Sequence, residues 1–328
     1  MTSVLAANPK PDEIIIVADG GTVGTPLPED WGNIKILETK HRGGPARARN
    51  LGAQHAVGDI LFFIDADVLV PPDAIDRVKK TFAAQPEISA LIGSYDDAPG
   101  EPNFLSQYRN LLHHYVHQTA KKNAATFWGA CGAIRREIFL KTGGFDENLY
   151  DKPAIEDIEF GYRLKQTGHK IKLCKQLHIK HLKYWNTLTL LKTDFFQRAL
   201  PWTELILRDR NFLNDLNTDH KSRVSVALTF CLSFLLILSL LRPWFLAIIP
   251  PVSGTLFFLN LDVYQFFYRN RGFWFALRVI PWHWLYYFYS GVAFIIGAVK
   301  YIFTKKQHPE APLPEAELRG GRYEAGAS

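Results

Sequence analysis

Residues 224–241 form eighteen consecutive positions without a charge, VSVALTFCLSFLLILSLL. At about 1.5 Å per residue a helix of this length approaches the roughly 30 Å hydrocarbon core of a bilayer. Soluble helices rarely run so long without a charged group. The stretch therefore predicts a membrane span and excludes a simple soluble enzyme. Residues 244–261 are again uncharged, but Pro250-Pro251 interrupts them and predicts a kinked or re-entrant segment. Residues 279–299 contain His283 as their one group that titrates near neutrality. They open on Trp282, Trp284, Tyr286, Tyr287 and Tyr289, aromatics that suit a headgroup boundary.

Residues 262–278 mix aromatics with Arg269, Arg271 and Arg278, as an interfacial segment on the positive, cytoplasmic side does. Lys221 and Arg223 put the front of the chain on that same side. Lys300, Lys305 and Lys306 do not fit an odd number of crossings, so two to four spans are expected over 224–303. Residues 304–328, rich in Pro, Glu and Gly, read as a disordered tail.

Charge divides the chain at the same place. Of 38 Lys and Arg and 32 Asp and Glu, nine and five lie from Val224 onward, leaving 29 and 27 in front. The front is near neutral and polar enough for a soluble domain. The basic surplus flanks apolar stretches, which excludes it as an argument for nucleic-acid binding. Cys131, Cys174 and Cys231 are scattered, with neither disulfide nor zinc spacing. The first ten residues lack a basic and an apolar region, which predicts no cleavable signal peptide.

The front alternates short apolar runs with helical patterns. Glu13 to Val17 and Ile60 to Ile64 read as buried strands, and Ile34 to Leu37 and Ile88 to Ile92 as further strands; 45–56 and 72–84 read as helices. This alternation predicts an α/β layer with a mainly parallel sheet, whose ligands bind beyond the carboxyl ends of its strands. Asp19 and the pair Asp65 and Asp67 fall at such ends. Gly20, Gly21 and Gly24 do not form a dinucleotide fingerprint, and no phosphate-binding P-loop sequence is present.

Asp65-Ala66-Asp67 places two carboxylates on one side of an extended segment, an oxygen-rich site for Mg²⁺ or Mn²⁺ with room for substrate phosphates. Glu156-Asp157 opens a segment in which Ile155, Ile158 and Tyr162 recur at helical spacing and Gly168 supplies a stop. Acids in a first turn stabilise a helix, and an ionised carboxylate there can also accept a proton from an attacking hydroxyl.

Taken together, these segments resemble a family 2 glycosyltransferase of the GT-A fold. The resemblance rests on Glu13-Ile-Ile-Ile-Val-Ala-Asp-Gly-Gly21, on Gly43-Gly-Pro-Ala-Arg-Ala-Arg-Asn-Leu-Gly-Ala53 and on Phe62-Phe-Ile-Asp-Ala-Asp67. It continues through Gly129-Ala-Cys-Gly-Ala-Ile-Arg-Arg136, Gly143-Gly-Phe-Asp-Glu147 and Glu156-Asp157 with Arg163 and Gly168. The order holds from about residue 12 to 181. It implies a GT-A domain over 1–185, with helices on both sheet faces, followed by transmembrane helices.

The resemblance also implies roles. Asp19, Arg49, Asp65 and Glu156 would bind the nucleotide-sugar donor, Asp67 and His181 the divalent cation, and Asp157 would be the general base of an inverting transfer. The acceptor would be a membrane lipid, a lipid-linked sugar or a glycan precursor. Two departures stand out. The family's first apolar strand and turn do not precede residue 13, which predicts a coding sequence continuing upstream of Met1. Gln197-Arg198-Ala199-Leu200-Pro201-Trp202 only echoes the Q-x-x-R-W of processive synthases, which favours transfer of single sugars. Residues 186–223 read as an amphipathic interfacial linker. The expected location is a bacterial inner or plasma membrane, with the catalytic domain cytoplasmic. A catalytically impaired pseudo-glycosyltransferase acting as a membrane-bound binding subunit is the alternative.

Overall fold

The structure, a computed structural model, describes residues 1–21, 34–209 and 219–307. Gly24, residues 210–218 of the expected linker and the tail beyond Gln307 lie outside them. A short helix α1 (Thr2–Leu5) precedes β1 (Ile14–Ala18), whose Ile-Ile-Ile-Val run is the β-branched composition a doubly covered strand favours. β2 (Ile34–Glu38) pairs with it in parallel, Ile14 opposite Ile34. α2 (Gly44–His55) has Pro45 in its first turn and buries Ala46, Asn50 and Ala53. Then follow β3 (Ile60–Ile64), β4 (Val68–Leu69), α3 (Ala74–Ala84), β5 (Ala90–Tyr95) and α4 (Phe104–Thr119). β6 (Asn123–Ala124), β7 (Cys131–Arg135), α5 (Arg136–Lys141), α6 (Glu156–Gln166) and β8 (Ile171–His181) complete the α/β part.

Six strands form one sheet in the order β3-β7-β5-β8-β4, with β6 also on β8. Among the described residues only β5–β8, and β1–β2 in their own two-stranded sheet, run parallel; β3–β7, β5–β7, β4–β8 and β6–β8 are antiparallel. The sheet is thus mixed, where the alternation of strands and helices predicts a mainly parallel one. The antiparallel members leave weak sequence signals: β4 and β6 have two residues each, and β7 includes Gly132.

Helices cover both faces of this sheet. Ile134, Ala90, Ile92, Ile171 and Leu173 pack with Ala46 and Ala53 of α2, Phe139 of α5 and Phe160 and Leu164 of α6. Ala133, Leu91, Leu177 and Ile179 pack with Ala74, Val78 and Phe82 of α3 on the other side. Neighbours such as Ala133 and Ile134 serve opposite clusters because successive strand residues point to opposite faces. Burial of these apolar side chains supplies the main driving force for the domain.

After β8 come α7 (Thr187–Lys192), opened by a capping box between Asn186 and Thr189, a π-helical turn (Thr193–Ala199) and α8 (Leu200–Asp209). α9 (His220–Leu241) is capped by Asp219, whose side chain accepts from Ser222 N at 2.8 Å. A 3₁₀ turn (Pro243–Ala247), α10 (Ile249–Leu259), α11 (Leu261–Arg271) and α12 (Phe273–Gln307) follow. Two helices, His220–Leu241 and Phe273–Phe303, are long and apolar enough to cross a membrane. Pro243–Leu259 with Leu261–Arg271 makes a third candidate, bent by 64°. α12 begins before the apolar stretch at 279–299 and absorbs part of the segment read as interfacial.

The apolar helices are joined firmly to the α/β part. Tyr108, Leu111 and Leu112 of α4 share one buried cluster with Val263, Tyr264 and Phe267 of α11 and Ala276 and Val279 of α12. Arg271 donates to Asp97 O at 2.7 Å and Gln107 Oε1 at 2.9 Å. Buried Asp194, in the π-helical turn, takes Arg109 of α4 at 3.0 Å and the Tyr289 hydroxyl of α12 at 2.8 Å. Among the apolar helices, Asn260 donates to Ser225 Oγ at 2.9 Å and accepts from Tyr287 at 2.8 Å, so these buried polar atoms satisfy one another.

Candidate active site

The acidic residues gather where β1 and β3 end. Asp19 follows β1 and faces the start of α2: Gly43 N donates to its Oδ1 at 2.8 Å and Gly44 N to its Oδ2 at 2.9 Å. A carboxylate here satisfies amides that the helix cannot pair and complements its dipole. Thr39 adds its hydroxyl at 3.2 Å. Both Asp19 oxygens are therefore engaged in holding the entry to α2.

That helix carries Arg49, which bridges two acids. Nη2 meets Asp65 Oδ1 at 2.7 Å and Nη1 meets Glu156 Oε1 at 2.8 Å. Gly129 lies flat against the guanidinium; a Cβ there would sit 2.7 Å from Arg49 Cζ. The same Gly129 donates its N–H to Asp157 Oδ2 at 2.9 Å. α6 can approach this loop because Gly161 has no side chain: a Cβ would come within 2.1 Å of Phe127 N. Burial, with the neighbouring Glu156 charge, pushes the Asp157 carboxyl up to about 7, against the opposing pull of Gly129 N–H and Arg49. A carboxylate poised there suits proton transfer near neutral pH.

A second group lies at the other carboxylate of the pair. Residues 66–67 form a turn, so Asp65 and Asp67 do not alternate along an extended segment. Asp65 is bound to Arg49, whereas Asp67 meets His181 Nε2 at 3.5 Å. The β4–β8 pairing, Val68 opposite His181, brings the histidine there. His181 holds the Asp67 carboxyl below the usual carboxylate range. The imidazole is itself fixed: Nδ1 lies 2.8 Å from Asn110 Oδ1, and the ring stacks on Tyr95 at 4.5 Å.

Asp67 and His181 fit a divalent cation as an open site. Carboxylate oxygen and imidazole nitrogen suit Mn²⁺, and half-exposed Asp67 leaves space for phosphate oxygens and water. Among the described residues no three His, Cys, Asp or Glu side chains are grouped to hold an ion by themselves.

The structure thus brings together Arg49, Asp65, Glu156 and Asp157 in one network, Asp67 and His181 in a second, and gives Asp19 a backbone-holding task. Sequence reasoning missed Gly129, Asn110 and Tyr95. Gly129 stood within a recognised motif, but its amide leaves no side-chain signal; Asn110 lies 71 residues from His181 and belongs to no motif. Asn50, next to Arg49, is bonded both ways to Phe145, and Arg163 holds Thr142 O and Gly144 O at 2.8 and 2.6 Å. These contacts explain why the motif residues around Arg49, Gly143 and Glu156 occur together.

Residues 1–143 match the family described as Glycosyl transferase family 2. Over that stretch, less than half of its length, the chain is similar to this family. Over 196 residues it is 26% identical to the glucosyl-dolichyl phosphate glucuronosyltransferase of Haloferax volcanii, covering 55% of this chain and 62% of that protein. Over 220 residues it is 28% identical to the probable N-acetylgalactosaminyltransferase 6 of Caenorhabditis elegans, covering 55% of this chain and 34% of that protein. The chain thus spans less than two thirds of the length of either relative. Among solved structures, the mannosyltransferase PcManGT from Pyrobaculum calidifontis, in complex with GDP-Man and Mn²⁺, is similar at a TM-score of 0.50 and 18% identity. That likeness covers 89% of this chain and 78% of that one. It is a likeness of fold: a mixed α/β sheet of GT-A type with helices on both faces.

Proposed function

We propose that this glycosyltransferase is inverting and metal-assisted, and that it moves a sugar from a nucleotide-diphospho-sugar to a hydroxyl of a lipid-linked acceptor at a membrane. The single observation that carries the reading is the setting of Asp157. It sits in the first turn of α6, held by Gly129 N–H at 2.9 Å and pushed up to about 7 by burial beside Glu156. A base of this kind takes the acceptor proton as the acceptor oxygen bonds to the anomeric carbon. The bond from that carbon to the diphosphate oxygen breaks, and its electron pair leaves with the nucleoside diphosphate. Attack opposite the leaving group inverts the configuration.

Arg49 orients Asp65 and Glu156 around this point and balances their charge. Asp65 would face the ribose side of the donor, and Asp67 and His181 would hold the cation. When bound, a divalent cation offsets the charge that grows on the leaving diphosphate. Asp19 acts through α2, keeping Arg49 in place. The apolar helices and the Haloferax relative, named for a dolichyl phosphate substrate, support a lipid-borne acceptor. Basic residues near the span ends, Lys221, Arg223, Arg269 and Arg271, support a cytoplasmic catalytic domain.

The test is Asp157→Asn, which keeps shape and removes proton acceptance. Donor binding is expected to persist while transfer falls roughly 10²–10⁴-fold. Near-normal turnover would move the base elsewhere, with Glu156 the next residue to replace.

A further inference from the structure

α12 has the length and composition of a membrane span, yet its contacts tie it to the catalytic domain along its length. Near its start, the Arg278 guanidinium lies 4.1 Å over the ring of Phe104, at the beginning of α4. In its middle, Tyr289 donates to Asp194, the partner of Arg109 on α4. Near its end, Lys300 meets Glu204 of α8 at 2.7 Å, and Gly297 packs so closely on Thr203 that a Cβ would lie 2.9 Å from it. α8 in turn belongs to the catalytic core: Leu205 is buried in the cluster that holds Phe160 and Leu164 of α6, and Trp202 Nε1 donates to Tyr162.

Arg278 and Lys300 are separated by about 33 Å of helix, the thickness of a hydrocarbon core. A crossing helix would put them on opposite sides of the bilayer. Here Arg278 is held by α4 of the α/β domain and Lys300 by α8, which is itself packed on α6 of that domain. α9 meets α12 near its own beginning: Gly291 faces Val226 and Phe230, and Phe288 lies 5.5 Å from Phe230. From there α9 projects away, with Phe234, Ile237, Leu240 and Leu241 exposed. α10 returns, because Asn260 at its end bonds Ser225 near the start of α9.

We infer that α12 does not cross the bilayer but lies in the plane of its cytoplasmic interface, clamped under the catalytic domain, and that the α9–α10 hairpin is the inserted unit. This rests on the membrane reading of the proposed function. The face of α12 turned from the protein is apolar, with Trp274, Leu285, Ile295, Val299 and Ile302 exposed, as a helix lying on acyl chains requires. The arrangement also settles the charge conflict in the sequence. Lys221, Arg223, Arg269, Arg271, Arg278 and Lys300 fall on one side and Arg242, at the hairpin tip, on the other.

The test is labelling of single cysteines by a membrane-impermeant maleimide, in intact cells and in inside-out vesicles made from them. Cys131 and Cys174 are buried, and Cys231→Ser removes the exposed thiol. Lys10→Cys and Gln307→Cys are expected to label together in inside-out vesicles, and Arg242→Cys only in intact cells. Labelling of Gln307→Cys with Arg242→Cys would overturn the in-plane helix, and labelling of Arg242→Cys with Lys10→Cys would overturn the inserted hairpin. Independently, Glu204→Cys with Lys300→Cys should be joined in membranes by a short bismaleimide; an unjoined pair overturns the inference. Extraction of the chain from membranes by carbonate would instead defeat the membrane reading itself.

Discussion

Gly129 gives its backbone N–H to Asp157 and its bare Cα face to Arg49, so one residue without a side chain sets the distance between the candidate base and the cation beside it. Burial and Glu156 raise the Asp157 carboxyl to about 7; Gly129 and Arg49 work against that rise. The working form of a base is the ionised one. Transfer should therefore climb with pH through about 7 and level off above it, as a pH–rate profile at saturating donor will show. Glu156→Gln removes a repulsive charge and should move this limb to lower pH.

Arg49→Ala should act in the opposite sense on the same limb, because the lost cation no longer favours the Asp157 carboxylate. It also strands buried Glu156 without its partner, which costs about 3–5 kcal/mol for a buried pair. Chemical denaturation of the variant in detergent measures that loss.

Mn²⁺-dependent donor binding should disappear in Asp67→Ala while the fold persists, as calorimetric titration with circular dichroism on the same sample will report. Asn110→Ala touches neither donor nor ion in this account. It frees the imidazole of His181, and loss of such an outer partner weakens metal affinity about 10–100-fold. Asn110→Asp, which keeps an acceptor for Nδ1, should restore much of it.

Gly161→Ala should be far more harmful than a helix-favouring substitution usually is. A Cβ 2.1 Å from Phe127 N must displace α6 from the loop that carries Gly129. Overpacking of a core costs typically 1–3 kcal/mol and here also moves Asp157. A lowered melting temperature together with lost transfer is the expected pair of results.

What was legible in the sequence follows from range. β1 and β3 are continuous apolar runs, so their strands and the acids after them could be read locally, as could the acidic first turn of α6. The fold class was legible because several such segments recur in order. Illegible were relationships between distant residues: Asn110 with His181, Gly161 with Phe127, Arg109 with Asp194. The Asp65-Ala66-Asp67 reading assumed an extended segment, but β3 ends at Ile64 and the chain turns before β4, so the two carboxylates serve different partners. α12 looks like a span because hydropathy records what surrounds a helix, not the direction in which it runs.

Arg109 and Asn110 are consecutive on α4. One is gripped by Asp194, and through it by Tyr289 of α12; the other grips His181. A helix cannot turn about its axis at one residue and stand still at the next. A path of direct contacts therefore runs from α12 through Asp194 and α4 to the imidazole beside Asp67. With α12 in a bilayer as inferred above, changes in acyl-chain length or lateral pressure should register as changes in the setting of His181 beside Asp67.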